Sequence, residues 1–211
     1  SMVRHLLNAN HEVTVYNRTK EKAMSLVEEG AVWQDSPVAI AQTSDIVFTI
    51  VGYPSDVEEV YFEDAGIFAG LSAGKITIDM TTSTPALAIR ISERARELGA
   101  QSLDAPVSGG DLGAKNGTLT VMVGGEATAY ETVLPLFETF SGSVNLFGSA
   151  GSGQHTKMVN QIMVAGTMTG MTEMIVYAKA AGLKLENVIK TVNGGAAQNW
   201  SLGNYAPRIL K

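Results

Sequence analysis

Three short segments carry side chains whose types and spacing could do chemistry. In Gly151-Ser152-Gly153-Gln154-His155-Thr156-Lys157-Met158-Val159-Asn160-Gln161, the residues Lys157, Asn160 and Gln161 stand at i, i+3 and i+4, so on a helix they share one face. An ammonium with two carboxamides beside it suits a small polar substrate, the amine moving a proton and the amides holding. A lysine snorkelling from a partly buried helix would leave the same pattern. His155 falls elsewhere on the helix and is not given the proton-transfer role. In Asp104-Ala105-Pro106-Val107-Ser108-Gly109-Gly110, two glycines let consecutive backbone N–H groups converge on an anion, and Ser108 adds a hydroxyl donor. A small carboxylate fits such a nest, although a plain turn uses the same residues. In Val15-Tyr16-Asn17-Arg18-Thr19 a neutral amide and a guanidinium follow a strand-like run.

The elements that must position these groups alternate along most of the chain. Glu12–Tyr16, Asp45–Val51, Lys75–Asp79 and Leu119–Val123 read as strands, with Ser143–Phe147 weaker. The run Asp45–Val51 is almost unbroken in apolar residues, as in a strand buried on both faces of a parallel sheet. Between strands, Thr19–Glu29 has helical spacing and stops at Gly30, while Ser36-Pro37 and Thr84-Pro85 each set a capping hydroxyl before a proline at the first helical position. A strand leads into the Ser108-Gly109-Gly110 turn, followed by a short helical stretch at 111–115. The repeated units predict an α/β fold with a doubly wound parallel sheet and helices on both faces.

After about Ser149 the strand signal ends. A helical pattern runs from Gln154 to Ala181, roughly 40 Å if continuous, and shorter ones follow at 185–192 and 202–210. The change of period places a domain boundary between 1–149 and 150–211. Methionines 158, 163, 168, 171 and 174 read as core or subunit-interface packing, and Gly166 and Gly170 as sites of close helix approach.

Ser1–Asn10 has the body of an amphipathic helix, with Met2, Val3, Leu6 and Leu7 on one side, but lacks a proper start. The first strand of a doubly wound sheet is central, and a glycine-rich turn after it carries a dinucleotide pyrophosphate. Since the chain opens on the helix that should follow, truncation at the N-terminus is expected, and also after Arg208–Lys211. In that frame Asn17 and Arg18 end the second strand, where an adenosine ribose lies. NAD sites commonly set an acid there. A guanidinium instead pairs bidentately with a 2′-phosphate, which reads as NADP preference. A solvated arginine opening a helix is the alternative.

Composition excludes several classes. The 211 residues include no cysteine, hence no disulfide, thiolate metal site or cysteine nucleophile. A formal charge of −6 argues against a nucleic-acid surface. Asn160, Gln161 and Glu173 interrupt the most apolar stretch, Met158–Ala178, so it makes a poor membrane span. His5 and His11 have no ligand-like partners, and no metal is expected. A soluble, cytoplasmic protein is the expectation.

Taken in order, the segments resemble the β-hydroxyacid dehydrogenase family, which includes 3-hydroxyisobutyrate dehydrogenase, tartronate semialdehyde reductase and, more distantly, 6-phosphogluconate dehydrogenase. The similarity is carried by Val15–Thr19, Asp79-Met80-Thr81-Thr82, Asp104–Gly110 with Gly113-Ala114 and Gly117-Thr118-Leu119, Met122-Val123-Gly124-Gly125, and Gly151–Gln161, and it covers essentially all 211 residues. It departs from the family in lacking a Gly-x-Gly-x-x-Gly loop and the later Lys-Asp segment, and in having Thr81-Thr82 where Ser-Thr is usual.

The resemblance implies a Rossmann domain, a helical domain opened by a long helix, and a homodimer or homotetramer built through the helical part. It implies Lys157 as general acid/base, Asn160 and Gln161 as substrate holders, and Ser108, Gly109 and Gly110 as the carboxylate site. Thr82 would lie near the nicotinamide, and Asn17, Arg18 and Thr19 at the adenosine end of NADP, with NAD possible. The implied reaction interconverts a small 3-hydroxy acid, such as 3-hydroxyisobutyrate, and its semialdehyde. Glyoxylate, succinic semialdehyde or tartronate semialdehyde reduction on the same site, or a non-catalytic scaffold, are the alternatives.

Overall fold

The apolar runs and capping signals place most elements where the sequence puts them. The computed structural model describes Ser1–Leu210. Its strands are β1 (Thr14–Val15), β2 (Val32–Trp33), β3 (Ile46–Thr49), β4 (Ile76–Asp79), β5 (Gln101–Asp104), β6 (Val107–Ser108), β7 (Leu119–Gly125) and β8 (Ser141–Leu146). The chain forms two compact units, Ser1–Lys157 and a second that begins at Met158.

In the first unit, β3, β4 and β5 are parallel neighbours, with Thr49 opposite Asp79 and Asp79 opposite Asp104. β7 runs antiparallel to both β5 and β6, and β8 lies parallel to β7. The sheet is therefore mixed at this edge rather than parallel throughout. The reason is length: the connection from Gly109 to Thr118 falls short of the roughly dozen residues a parallel crossover needs.

Pro37–Thr43 and Pro85–Glu97 begin as predicted, the hydroxyls of Ser36 and Thr84 accepting from Ala39 N–H and Leu87 N–H at 3.2 Å. Leu87, Ile91 and Ala95 of the second helix join Val47, Val57, Tyr61 and Ile67 in one apolar cluster. Ala129, Val133 and Phe137 of Ala127–Glu138 join Leu6, Ile78, Leu103 and Val121 in another. Phe48 sits edge-on to Phe137 and Phe140, with centroids 5.8 and 6.2 Å apart.

β1 and β2 pair with each other in parallel and form a separate two-stranded sheet. Between β1 and β3 lies a groove of about 1530 Å³, lined by residues 13–19 on one side and 43–52 on the other. The hydroxyls of Thr14 and Ser44, 3.0 Å apart, link the two sides. The helix expected over Thr19–Glu29 divides into a 3₁₀ turn, Lys20–Lys22, and an α-helix, Met24–Glu28, the tighter turn being common at a helix start.

Ser152–Ala180 is one helix of 29 residues. In the second unit Met171 packs with Ile189, Leu202 and Ala206, the last three from Leu185–Val192 and Trp200–Ile209. Among the described residues nothing lies within 4 Å of a Cβ built at Gly166 or Gly170, so no close helix approach is made to either by those residues. Met158, Val159, Ile162, Met163, Val176 and Tyr177 are exposed.

Candidate functional site

The C-terminal ends of β3, β4 and β5 put a row of polar residues, Thr49, Asp79 and Asp104, at one level of the sheet, and all three are buried. Asp79 Oδ1 accepts from Thr49 Oγ1 at 3.2 Å and from the Thr81 amide at 3.0 Å. Burial pushes the Asp79 carboxyl up to about 6 against the pull of those hydrogen bonds, and the neighbouring Asp104 adds to the rise. Asp104 is raised by burial as well, opposed by backbone amides of the long helix.

Those amides belong to the turn that opens Ser152–Ala180. Asp104 Oδ1 accepts from Gly151 N–H and Oδ2 from Gln154 N–H, both at 2.8 Å, so a carboxylate on β5 satisfies amides that the helix itself cannot pair. The fit is close. A Cβ on Gly153 would come within 2.5 Å of the carbonyl oxygens of Asp104 and Met122, which is why glycine stands there.

From this seat the helix projects its first side chains. Gln154, buried, donates through Nε2 to Thr81 O at 2.8 Å and accepts through Oε1 from Ser83 N–H at 2.9 Å. One turn further, Lys157 is 8% exposed and its Nζ donates to Val107 O at 2.8 Å. Burial draws the Lys157 ammonium below the usual lysine value. The carbonyl it meets belongs to the peptide that joins Val107 to Ser108. Beyond Ser108 the backbone turns through Gly109 at φ +125° and Gly110 at φ +62°, values in the region that favours glycine. Both glycines are exposed. Lys157 and the start of the Ser108-Gly109-Gly110 bend are thus brought together.

The remaining residues singled out by sequence fall as follows. Asn160 and Gln161 come next on the helix and bond each other, Asn160 Nδ2 to Gln161 Oε1 at 2.9 Å. Thr82 is exposed between Thr81 and Ser83, and His155 faces solvent. Asn17 Nδ2 donates to Thr19 O at 2.6 Å, and Asn17, Arg18 and Thr19 line the groove together with Gly52 and Asp56. The Arg18 guanidinium is 3.7 Å from Asp56 Oδ1, with its side chain 76% exposed. Asn17 and Arg18 are thus the residues here that could hold the ribose end of a dinucleotide, with the Asp56 carboxylate as the present partner of the guanidinium. Sequence reasoning missed the clamp by Asp104 and the bridge by Gln154. Spacing gave only that Gln154, at i−3 from Lys157, shares its helix face; the partners of both contacts lie far off in sequence.

Two families of known proteins match successive parts of the chain, meeting a few residues before the Lys157–Met158 division of the compact units. Residues 1–148 match the NAD binding domain of 6-phosphogluconate dehydrogenase, and residues 151–211 match the NAD-binding domain of NADP-dependent 3-hydroxyisobutyrate dehydrogenase. An uncharacterised oxidoreductase of Bacillus subtilis is 52% identical over the whole chain, which covers 73% of that protein. A probable mitochondrial 3-hydroxyisobutyrate dehydrogenase-like protein of Arabidopsis thaliana is 47% identical over the whole chain, which covers 63% of it. The solved 3-hydroxyisobutyrate dehydrogenase of Mycobacterium tuberculosis, with L-serine, superposes with a TM-score of 0.88 at 27% identity, over 98% of this chain and 70% of that one. The chain therefore spans about two-thirds of the length of these proteins.

Proposed function

Because the chain belongs to the family of NAD(P)-dependent 3-hydroxyisobutyrate and 6-phosphogluconate dehydrogenases, we propose that it interconverts a small 3-hydroxy acid, of the 3-hydroxyisobutyrate type, and its semialdehyde. The nicotinamide cofactor, when bound, supplies the hydride chemistry. The chain must hold the substrate carbon and manage the hydroxyl proton. Lys157 does the second: its neutral amine accepts the proton in oxidation, and its ammonium returns it in reduction. A free lysine titrates near pH ~10.4 and serves poorly as a base at neutral pH. Burial of Lys157 shifts it in the useful direction.

Ser108 and the amides of Gly109 and Gly110 bind the substrate carboxylate, and Asn160 and Gln161 hold its polar groups. Asn17, Arg18 and Thr19 bind the adenosine end of the cofactor, with preference for NADP, and Thr82 lies against the nicotinamide. The exposed apolar residues of the long helix, Ile162 and Met163 among them, are covered by a second copy of the chain in a homodimer or homotetramer. The support for the chemical reading lies chiefly in one contact, the 2.8 Å bond from Lys157 Nζ to Val107 O, which sets the amine beside the bend after Pro106.

The test is Lys157→Ala in the complete polypeptide. Turnover of hydroxy acids should fall by about three orders of magnitude or more, in line with loss of a general acid/base and its positioning, with NADP binding largely spared. In the unsubstituted protein, kcat/KM for oxidation should rise with pH to a plateau whose apparent pKa lies below that of free lysine. Normal turnover by the Ala variant, or a flat profile, refutes the assignment.

A further inference from the structure

The chemistry above gives Gln154 no task, yet the side chain is 3% exposed and fully engaged. Its carboxamide bonds the Thr81 carbonyl and the Ser83 amide, which are the peptide groups on the two sides of Thr82. Thr82 itself is exposed, so neighbouring side chains do little to fix it. The backbone N–H of Gln154 is held by Asp104 Oδ2 at 2.8 Å, and Lys157 stands one turn further along the same helix. A single side chain therefore ties the Thr81–Ser83 turn to the stretch of helix that carries the lysine.

We propose that Gln154 is a positioning residue that fixes Thr82, and with it the nicotinamide face, relative to Lys157, so that hydride and proton leave the same carbinol in one geometry. This rests on the roles assigned to Lys157 and Thr82. The residue type follows from the two partners. One is an acceptor and one a donor, and a carboxamide presents one donor and one acceptor in a single plane. A carboxylate would set oxygen against the Thr81 carbonyl, whereas a protonated carboxyl restores the donor. Methionine fills similar volume with neither.

The experiment compares wild type, Gln154→Met and Gln154→Glu in the complete polypeptide, measuring kcat, KM for the hydroxy acid and Kd for NADP from mildly acidic to mildly alkaline pH, with folding followed by circular dichroism. For Gln154→Met, kcat should fall about 100-fold, the scale of a small misplacement of reacting groups. KM and Kd should stay within about threefold, because binding contacts are untouched. Gln154→Glu should be equally slow at alkaline pH and recover relative to wild type as the pH falls and its carboxyl takes up a proton. A folded Gln154→Met with unchanged kcat overturns the proposal. So does a Gln154→Glu with no recovery on the acid side, or two variants that both unfold. In each of those cases an active wild type and an inactive Lys157→Ala leave the dehydrogenase reading standing. A wild type without turnover on any hydroxy acid removes that reading, and this role with it.

Discussion

At the scale of single residues, the buried carboxyls are the costly groups. Asp79 titrates at about 6 in the folded chain against 3.8 for an exposed carboxyl, because burial disfavours its charge. The folded state therefore binds the extra proton between these values. The stability that the neutral form contributes is complete below about pH 4 and is lost as the pH rises through about 6, for a difference of at most about 3 kcal/mol. Asp79→Asn removes the titration and keeps an oxygen for Thr81 N–H and Thr49 Oγ1. Thermal melts should show the variant gaining on the wild type above pH ~6, with the gain vanishing near pH ~4. A gain independent of pH would mean that Asp79 is not the titrating group. Asp104 is raised by burial too, but its oxygens also hold the amides of Gly151 and Gln154, so its removal would release the helix start.

At the scale of elements, the decisive contact is the seat of the long helix on β5 and β7. Gly153→Ala would drive a methyl group into two backbone oxygens, neither of which can swing away. We expect a loss of about 1–3 kcal/mol in chemical denaturation, as for other overpacked sites, together with lower activity because Lys157 rides on the displaced turn. Retention of both would show that the helix start can shift freely. The elements most legible in the sequence are those whose signals are local. Ser36-Pro37 and Thr84-Pro85 announced their helices, and the period change after Ser149 announced the long one. Val32–Trp33 could not be read in this way, since a strand of two residues carries no periodicity. The site was legible in part for the same reason. Lys157 and the Ser108-Gly109-Gly110 bend stand out by residue type, but the Gln154 bridge joins residues more than seventy positions apart, and no spacing rule encodes it.

At the scale of the whole molecule, the second unit presents apolar side chains that no described residue covers. Ile162 and Met163 are 63% and 65% exposed and Tyr177 is 74% exposed, far more than their side chains favour. Among the described residues no helix is long and apolar enough to cross a membrane, and the proposed cover is a second copy. Ile162→Glu should shift the protein toward monomer in sedimentation velocity, with secondary structure intact. An unchanged sedimentation coefficient would place the subunit contact elsewhere.

The clamp at the start of the long helix carries its own consequence. Asp104 Oδ1 and Oδ2 hold the amides of Gly151 and Gln154, and both hydrogen bonds are buried. Local opening follows the weakest packing, so these two amides should keep their hydrogens against deuterium as long as those of β5 do. In Asp104→Ala they should be among the first in the region to trade.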